Sequence, residues 1–167
     1  MEFESLKGIT LAEITQPDSE TMMFTSVDGD IFKLYYVQDC CGSCYVEDIC
    51  GDLNDLIGSP ILLAEEAVGG EPDGSEPEED EYGSHTWSFY KLSTVKGSVT
   101  IRWYGSSNGY YSETVTFIAM VKCKVCKDVI DTDRYSARIE YCKADDGAIL
   151  CSENCLAVYH TIPLCYE

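Results

Sequence analysis

The sequence predicts an α+β chain: a mainly antiparallel sheet with one short helix, followed by a small C-terminal unit closed by cysteines. Three observations predict it. Apolar and polar side chains alternate with period two through much of residues 1–120, as in Phe32, Leu34 and Tyr36 against Ile31, Lys33 and Tyr35. Turn dipeptides such as Asp28-Gly29 and Asn108-Gly109 punctuate these runs. Two close cysteine pairs, Cys123/Cys126 and Cys151/Cys155, bracket a hairpin-length insert near the end.

Taken in order, Gly8–Gln16 reads as a first strand and Thr21–Val27 as a second, with Pro17-Asp18 as the turn between them. Asp28-Gly29 leads into Ile31–Val37, giving a three-stranded meander with one mostly apolar face. Tyr45–Leu56 reads as the short helix, because Val46, Ile49, Cys50, Leu53 and Leu56 recur at helical spacing, with a break expected at Gly51. Ile61–Ala64 reads as a strand. Residues 68–84 form a loop by composition, within an acidic stretch, Glu65–Glu81, that holds nine acids and no base. Thr86–Ser93 and Ser98–Tyr104 are β-rich, Asn108-Gly109 reads as a hairpin turn, and Tyr110–Met120 as the last strand. The division is thus 1–120 and 121–167. No glycine, proline or serine separates Ile118 from Cys123, so the second unit is expected to pack on the last strand.

In that second unit, Cys-x-x-Cys followed by Cys-x-x-x-Cys is the spacing of a structural zinc site, in which four thiolates surround the ion tetrahedrally. Cys123, Cys126, Cys151 and Cys155 are the expected ligands of one Zn²⁺ per chain. Lys122, Lys124 and Lys127 would offset the negative charge of the thiolates. Tyr135–Tyr141 and Ala148–Cys151 read as strands joined by the Asp145-Asp146-Gly147 turn. Cys151–His160 reads as a short helix capped by Ser152, with Leu156 and Tyr159 on its apolar side and Pro163 stopping it. Cys142, Cys165 and His160 are spare donors. The competing account is four buried thiols or two disulfides.

Cys40, Cys41, Cys44 and Cys50 form another cluster. A second metal site and a thioredoxin-like Cys41-Gly-Ser-Cys44 are both open to it, beside plain buried thiols. Asp39, Glu47, Asp48 and Asp52 are candidate ligand-binding carboxylates, although helix caps and a solvated face account for such acids as well. Asn108, Tyr110 and Tyr111 lie in an aromatic, small-polar loop that suits recognition or an ordinary turn. The sequence names no catalytic residue: there is no Ser-His-Asp order, phosphate loop or histidine-rich signature.

The chain has 167 residues and a formal charge of −19, with 30 acidic and 11 basic side chains. That charge argues against nucleic acid and anionic membranes and suits a basic partner surface. Ten cysteines with no apolar leader or membrane-length run predict a reducing, cytoplasmic setting.

Two stretches carry a family resemblance. Asp39-Cys-Cys, Glu47-Asp-Ile, Gly51-Asp-Leu and Asp55-Leu-Ile-Gly-Ser-Pro-Ile61 make up one; Thr86-Trp-Ser-Phe-Tyr-Lys-Leu and Lys96–Ser112 make up the other. Together they resemble an uncharacterised family of small tailed-bacteriophage proteins over about residues 8–118. The last forty or so residues resemble treble-clef fingers of the TRASH and MYM type. The first resemblance implies a phage product in the host bacterial cytoplasm; the second implies binding of proteins or metal more than catalysis. The expected function is a protein-binding accessory acting through an acidic surface, with an inhibitor of a host enzyme or defence system as one form of it. The alternative is a small-molecule or nucleotide-binding protein with a pocket near residues 39–52, and the third is a metal-dependent enzyme using the same carboxylates.

Overall fold

The alternating runs become strands because alternation lets each one bury a single face. A computed structural model of the chain describes residues 1–37, 40–69, 83–130 and 141–161. Asp39, the acidic run 70–82, nearly all of the expected strand 135–141, and Pro163 and Cys165 lie outside the described residues. The strands are β1 (Leu11–Asp18), β2 (Thr21–Ser26), β3 (Ile31–Tyr36), β4 (Gly42–Cys50), β5 (Leu63–Gly69), β6 (Ser84–Ser93), β7 (Ser98–Ser107), β8 (Val115–Lys122), β9 (Val129–Ile130), β10 (Cys142–Lys143) and β11 (Ile149–Leu150). One α-helix, α1 (Glu153–Thr161), follows. The fold is therefore mostly antiparallel sheet with one short helix, the class the sequence predicts, with that helix in the C-terminal unit.

The chain divides into two compact units, Met1–Ala119 and Met120–Glu167. In the first, one sheet has the order β1-β2-β3-β8 and the other β4-β7-β6-β5. Both contribute to one core, in which Phe24, Phe32 and Leu34 from the first sheet join Tyr90, Leu92, Ile101 and Trp103 from the second. Phe3, in a 3-10 turn at Phe3–Leu6, packs edge-on against Phe24, Tyr90 and Phe117 at centroid distances of 6.3, 4.9 and 5.3 Å. Such edge-to-face pairs add to the area they bury.

Five local expectations are corrected. Tyr45–Leu56 is not a helix: residues through Cys50 form β4, paired antiparallel with β7, and only Leu53–Leu56 turns as a 3-10 helix. A β-bulge between Val46 and Asp48 explains the misleading pattern, because it places Glu47 and Asp48 side by side and leaves Val46 and Ile49 on the core side. Gly51 then ends the strand at φ +109°, against the Ser98 carbonyl, where a Cβ would collide. Pro17 and Asp18 remain in β1; the turn is at Ser19 and Glu20, with Glu20 N–H donating to Asp18 Oδ1 at 2.8 Å. Asn108-Gly109 does not close a hairpin, because β7 and β8 belong to different sheets. Last, β8 begins at Val115 rather than Tyr110, and β5 at Leu63 rather than Ile61.

Candidate metal centre

In the second unit, Val121 and Lys122 pair with Ile130 and Val129, which folds the segment between them into a knuckle. Cys123 N–H donates to the Asp128 carbonyl at 2.8 Å and Lys127 N–H to the Cys123 carbonyl at 3.1 Å. Closing so tight a turn puts Lys127 at φ +67°, the one non-glycine residue in the left-handed region among the described residues.

The hairpin β10–β11 pairs Cys142 with Leu150 and Lys143 with Ile149. Its turn is the predicted one: Gly147 adopts φ +88°, and Ala144 N–H reaches the Ala148 carbonyl at 2.9 Å. Helix α1 starts where the cap rule puts it, with Ser152 Oγ accepting from Cys155 N–H at 3.3 Å. Tyr159 O–H ties the helix back to the turn through Asp146 Oδ2 at 2.8 Å. Leu156 and Tyr159 pack on a small core of Cys123, Ile130, Ala144, Ala148 and Leu150.

These elements bring Cys123, Cys126, Cys151 and Cys155 together, with all four sulfurs within 4.8 Å of one another. Cys126 and Cys151 Sγ lie 3.4 Å apart, and Cys151 and Cys155 Sγ 3.5 Å apart. Both separations exceed the roughly 2.05 Å of a disulfide. They suit four donors around one ion, so the cluster can bind a metal.

The electrostatics agree. Burial works against ionising Cys123, but backbone N–H groups of Cys151, Cys126 and Val125 outweigh it and bring the thiol down to about 6. For Cys126 the backbone N–H of Asp128 favours the thiolate, yet the Asp128 carboxyl and the neighbouring sulfurs push the pKa up on balance. At Cys151 the Cys126 contact lowers the pKa, while Cys155 and burial raise it further. Like charges this close suppress one another. One thiolate forms readily, and a full set of four calls for a cation among them. The sequence shows the cysteines but not these N–H donors; the only local sign of them is the tight Cys-x-x-Cys-Lys turn.

The other candidates are dispersed. Among the described residues the second cysteine set is not gathered. Cys44 is buried on β4, its thiol 3.6 Å from the Glu113 carbonyl, whereas Cys40, Cys41 and Cys50 are exposed. Six residues of strand separate Cys44 from Cys50, roughly 20 Å at about 3.3 Å per residue. Cys50 Sγ instead meets Asp48 Oδ2 at 3.1 Å. Glu47 and Asp48 face Arg102, at 2.7 and 3.9 Å. Asp52 caps the 3-10 turn by accepting from Asn54 N–H at 2.9 Å. Asn108 Oδ1 accepts from Tyr110 N–H at 3.1 Å, and the Tyr110 and Tyr111 rings meet edge-on at 5.4 Å. Two groups that sequence reasoning passed over carry more structure. Glu113 gathers the hydroxyls of Ser84, Thr86 and Ser107, and His85 Nδ1 lies 2.6 Å from the Tyr104 hydroxyl. Neither forms a sequence motif, because each pairing joins different strands or loops.

No helix among the described residues is long and apolar enough to cross a membrane. No curated protein and no solved structure matches the chain. A family model does match it, over residues 4–117, which is nearly all of the first unit. The chain therefore belongs to the DUF7448 family, a domain of unknown function.

Proposed function

We propose that the chain is a phage-encoded accessory protein that binds a basic surface of a host protein in the bacterial cytoplasm, with a structural Zn²⁺ closing its C-terminal unit. The observation that carries the reading is the division of charge. The first unit holds 22 of the 30 acidic side chains and five of the 11 basic ones, so −17 of the −19 resides there. A field of one sign steers a partner of the other and raises its rate of encounter. The resemblance of the same unit to tailed-phage proteins supports the setting.

Zinc is favoured over other ions by an all-thiolate donor set. A tetrahedral ion with bonds of about 2.3 Å spaces its sulfurs by about 3.8 Å, close to the separations found here. The ion would link the knuckle to the hairpin and helix, which have few buried side chains of their own.

Two measurements test the reading. Inductively coupled plasma mass spectrometry of purified protein should find one zinc per chain, and the Cys151→Ser/Cys155→Ser variant should lose it. A metal-free, folded wild type rules zinc out. Affinity capture from host cells should retain a discrete basic partner that salt releases. Retaining only what an unrelated protein of equal charge retains rules out a specific partner.

A further inference from the structure

The four-stranded sheet ends in a cleft of about 390 Å³, formed where β4 and β6 begin and β7 ends. Cys41, Ser43, His85, Ser106, Ser107 and Asn108 supply its functional groups, and among the described residues no carboxylate, lysine or arginine lines it. Its hydrogen-bonding pattern can be worked out. The Tyr104 hydroxyl and His85 Nδ1 lie 2.6 Å apart and take up one another. With Nδ1 taken, Nε2 is the ring nitrogen left for a ligand. Asn108 Oδ1 is taken by Tyr110 N–H, so its Nδ2 is the group left to donate. The Ser43 and Ser106 hydroxyls can each donate or accept.

We propose that this cleft binds a neutral, hydroxyl-rich ligand the size of a single sugar ring. Mixed donors and acceptors match groups that themselves both donate and accept, which hydroxyls do. Anions are disfavoured: Glu113 sits directly behind Ser107, whose hydroxyl donates to its carboxylate at 2.8 Å, and the whole unit is strongly acidic. Cations gain little, because hydroxyls from Ser84, Thr86 and Ser107 already occupy that carboxylate. His85 is the aromatic ring that lines the cleft, and other rings back it. The His85 ring stacks on Tyr104 at 5.7 Å and 20°, and Tyr45 leans on the same ring at 5.6 Å. A flat ring held in place by stacking suits the C–H face of a sugar. The site shares no residue with the cysteine cluster.

The test is a ¹H–¹⁵N shift titration of the full chain with the methyl glycosides of glucose, galactose, mannose and N-acetylglucosamine, with adenosine monophosphate as the anionic arm. At least one glycoside should shift the amides of Ser43 and residues 106–108 saturably, and the nucleotide should not. His85→Phe, which keeps a ring and removes Nε2, should weaken that binding about tenfold, the equivalent of one hydrogen bond. Asn108→Ala, a change at an exposed position, should do the same. The proposal is overturned if no glycoside binds saturably, if the shifts map elsewhere, if the nucleotide binds as well, or if both folded variants bind like the wild type.

Discussion

The indole N–H of Trp87 donates to Glu47 Oε2 at 3.1 Å, and the same oxygen accepts from Arg102 Nε at 2.7 Å. Three strands meet at that one atom, β4 through Glu47, β6 through Trp87 and β7 through Arg102. The arrangement depends on the bulge that turns Glu47 toward the Arg102 side of the sheet. Glu47→Ala leaves a buried indole donor and a half-buried guanidinium without their acceptor. It should cost about 1–2 kcal/mol, seen as a lower urea midpoint with unchanged slope. Glu47→Gln, which keeps an acceptor, should cost less. Equal losses in the two variants would show that the side chain acts by packing alone.

Glu113 makes stability depend on pH. Burial opposes its ionisation, but hydroxyl bonds from Ser84, Thr86 and Ser107 outweigh burial and hold its carboxyl below the usual range. A depressed folded pKa stabilises the fold above the unfolded pKa and ceases to do so as pH falls through the folded value. Wild type should therefore be more stable than Glu113→Gln at pH 7. The gap should close below about pH 4, the ordinary carboxylate range. Paired urea melts at the two pH values measure it, and a gap that persists in acid would assign Glu113 a role unrelated to its charge.

How legible the fold was depended on whether each signal was local. The meander from Leu11 to Tyr36 follows its alternation, and Ser152 and Gly147 do what cap and turn chemistry requires. Val46 and Ile49 misled because a bulge inserts one residue into a period of two, and the resulting spacing of three imitates a helix. Asn108-Gly109 is a turn signal, but turn chemistry does not encode which strand comes next; here the chain leaves one sheet for the other. The four clustered cysteines were visible from spacing. The Glu113 cradle and the His85–Tyr104 pair were not, since they exist only once strands are in register.

The cysteines of the first unit should differ sharply in reactivity. Burial, with Glu113 and Glu20 adding to it, pushes the Cys44 thiol up to about 12. Its thiolate is therefore negligible at neutral pH, whereas Cys40, Cys41 and Cys50 are open to solvent. Iodoacetamide treatment of native protein, read by peptide mass spectrometry, should label those three and spare Cys44 until denaturant is added. Early labelling of Cys44 would mean that the β4 edge opens far more readily than its core packing implies.

Lys127 offers the closest test of the knuckle itself. Its φ of +67° places a Cβ where an L-residue is strained, at a cost of roughly 1 kcal/mol relative to glycine. The strain is offset by what it permits: the chain reverses so that Lys127 N–H bonds the Cys123 carbonyl and Asp128 N–H reaches the Cys126 sulfur. Lys127→Gly removes the strain but gives the unfolded chain more freedom, so the knuckle should hold as well as before or slightly better. Lys127→Val adds a branched Cβ to the same backbone and should loosen it. Amide exchange at Val125 through Asp128 should then rise about tenfold in the valine variant, equivalent to about 1.4 kcal/mol, and stay level or fall in the glycine variant. Similar exchange in the two would mean that the turn relaxes out of the left-handed region at no cost.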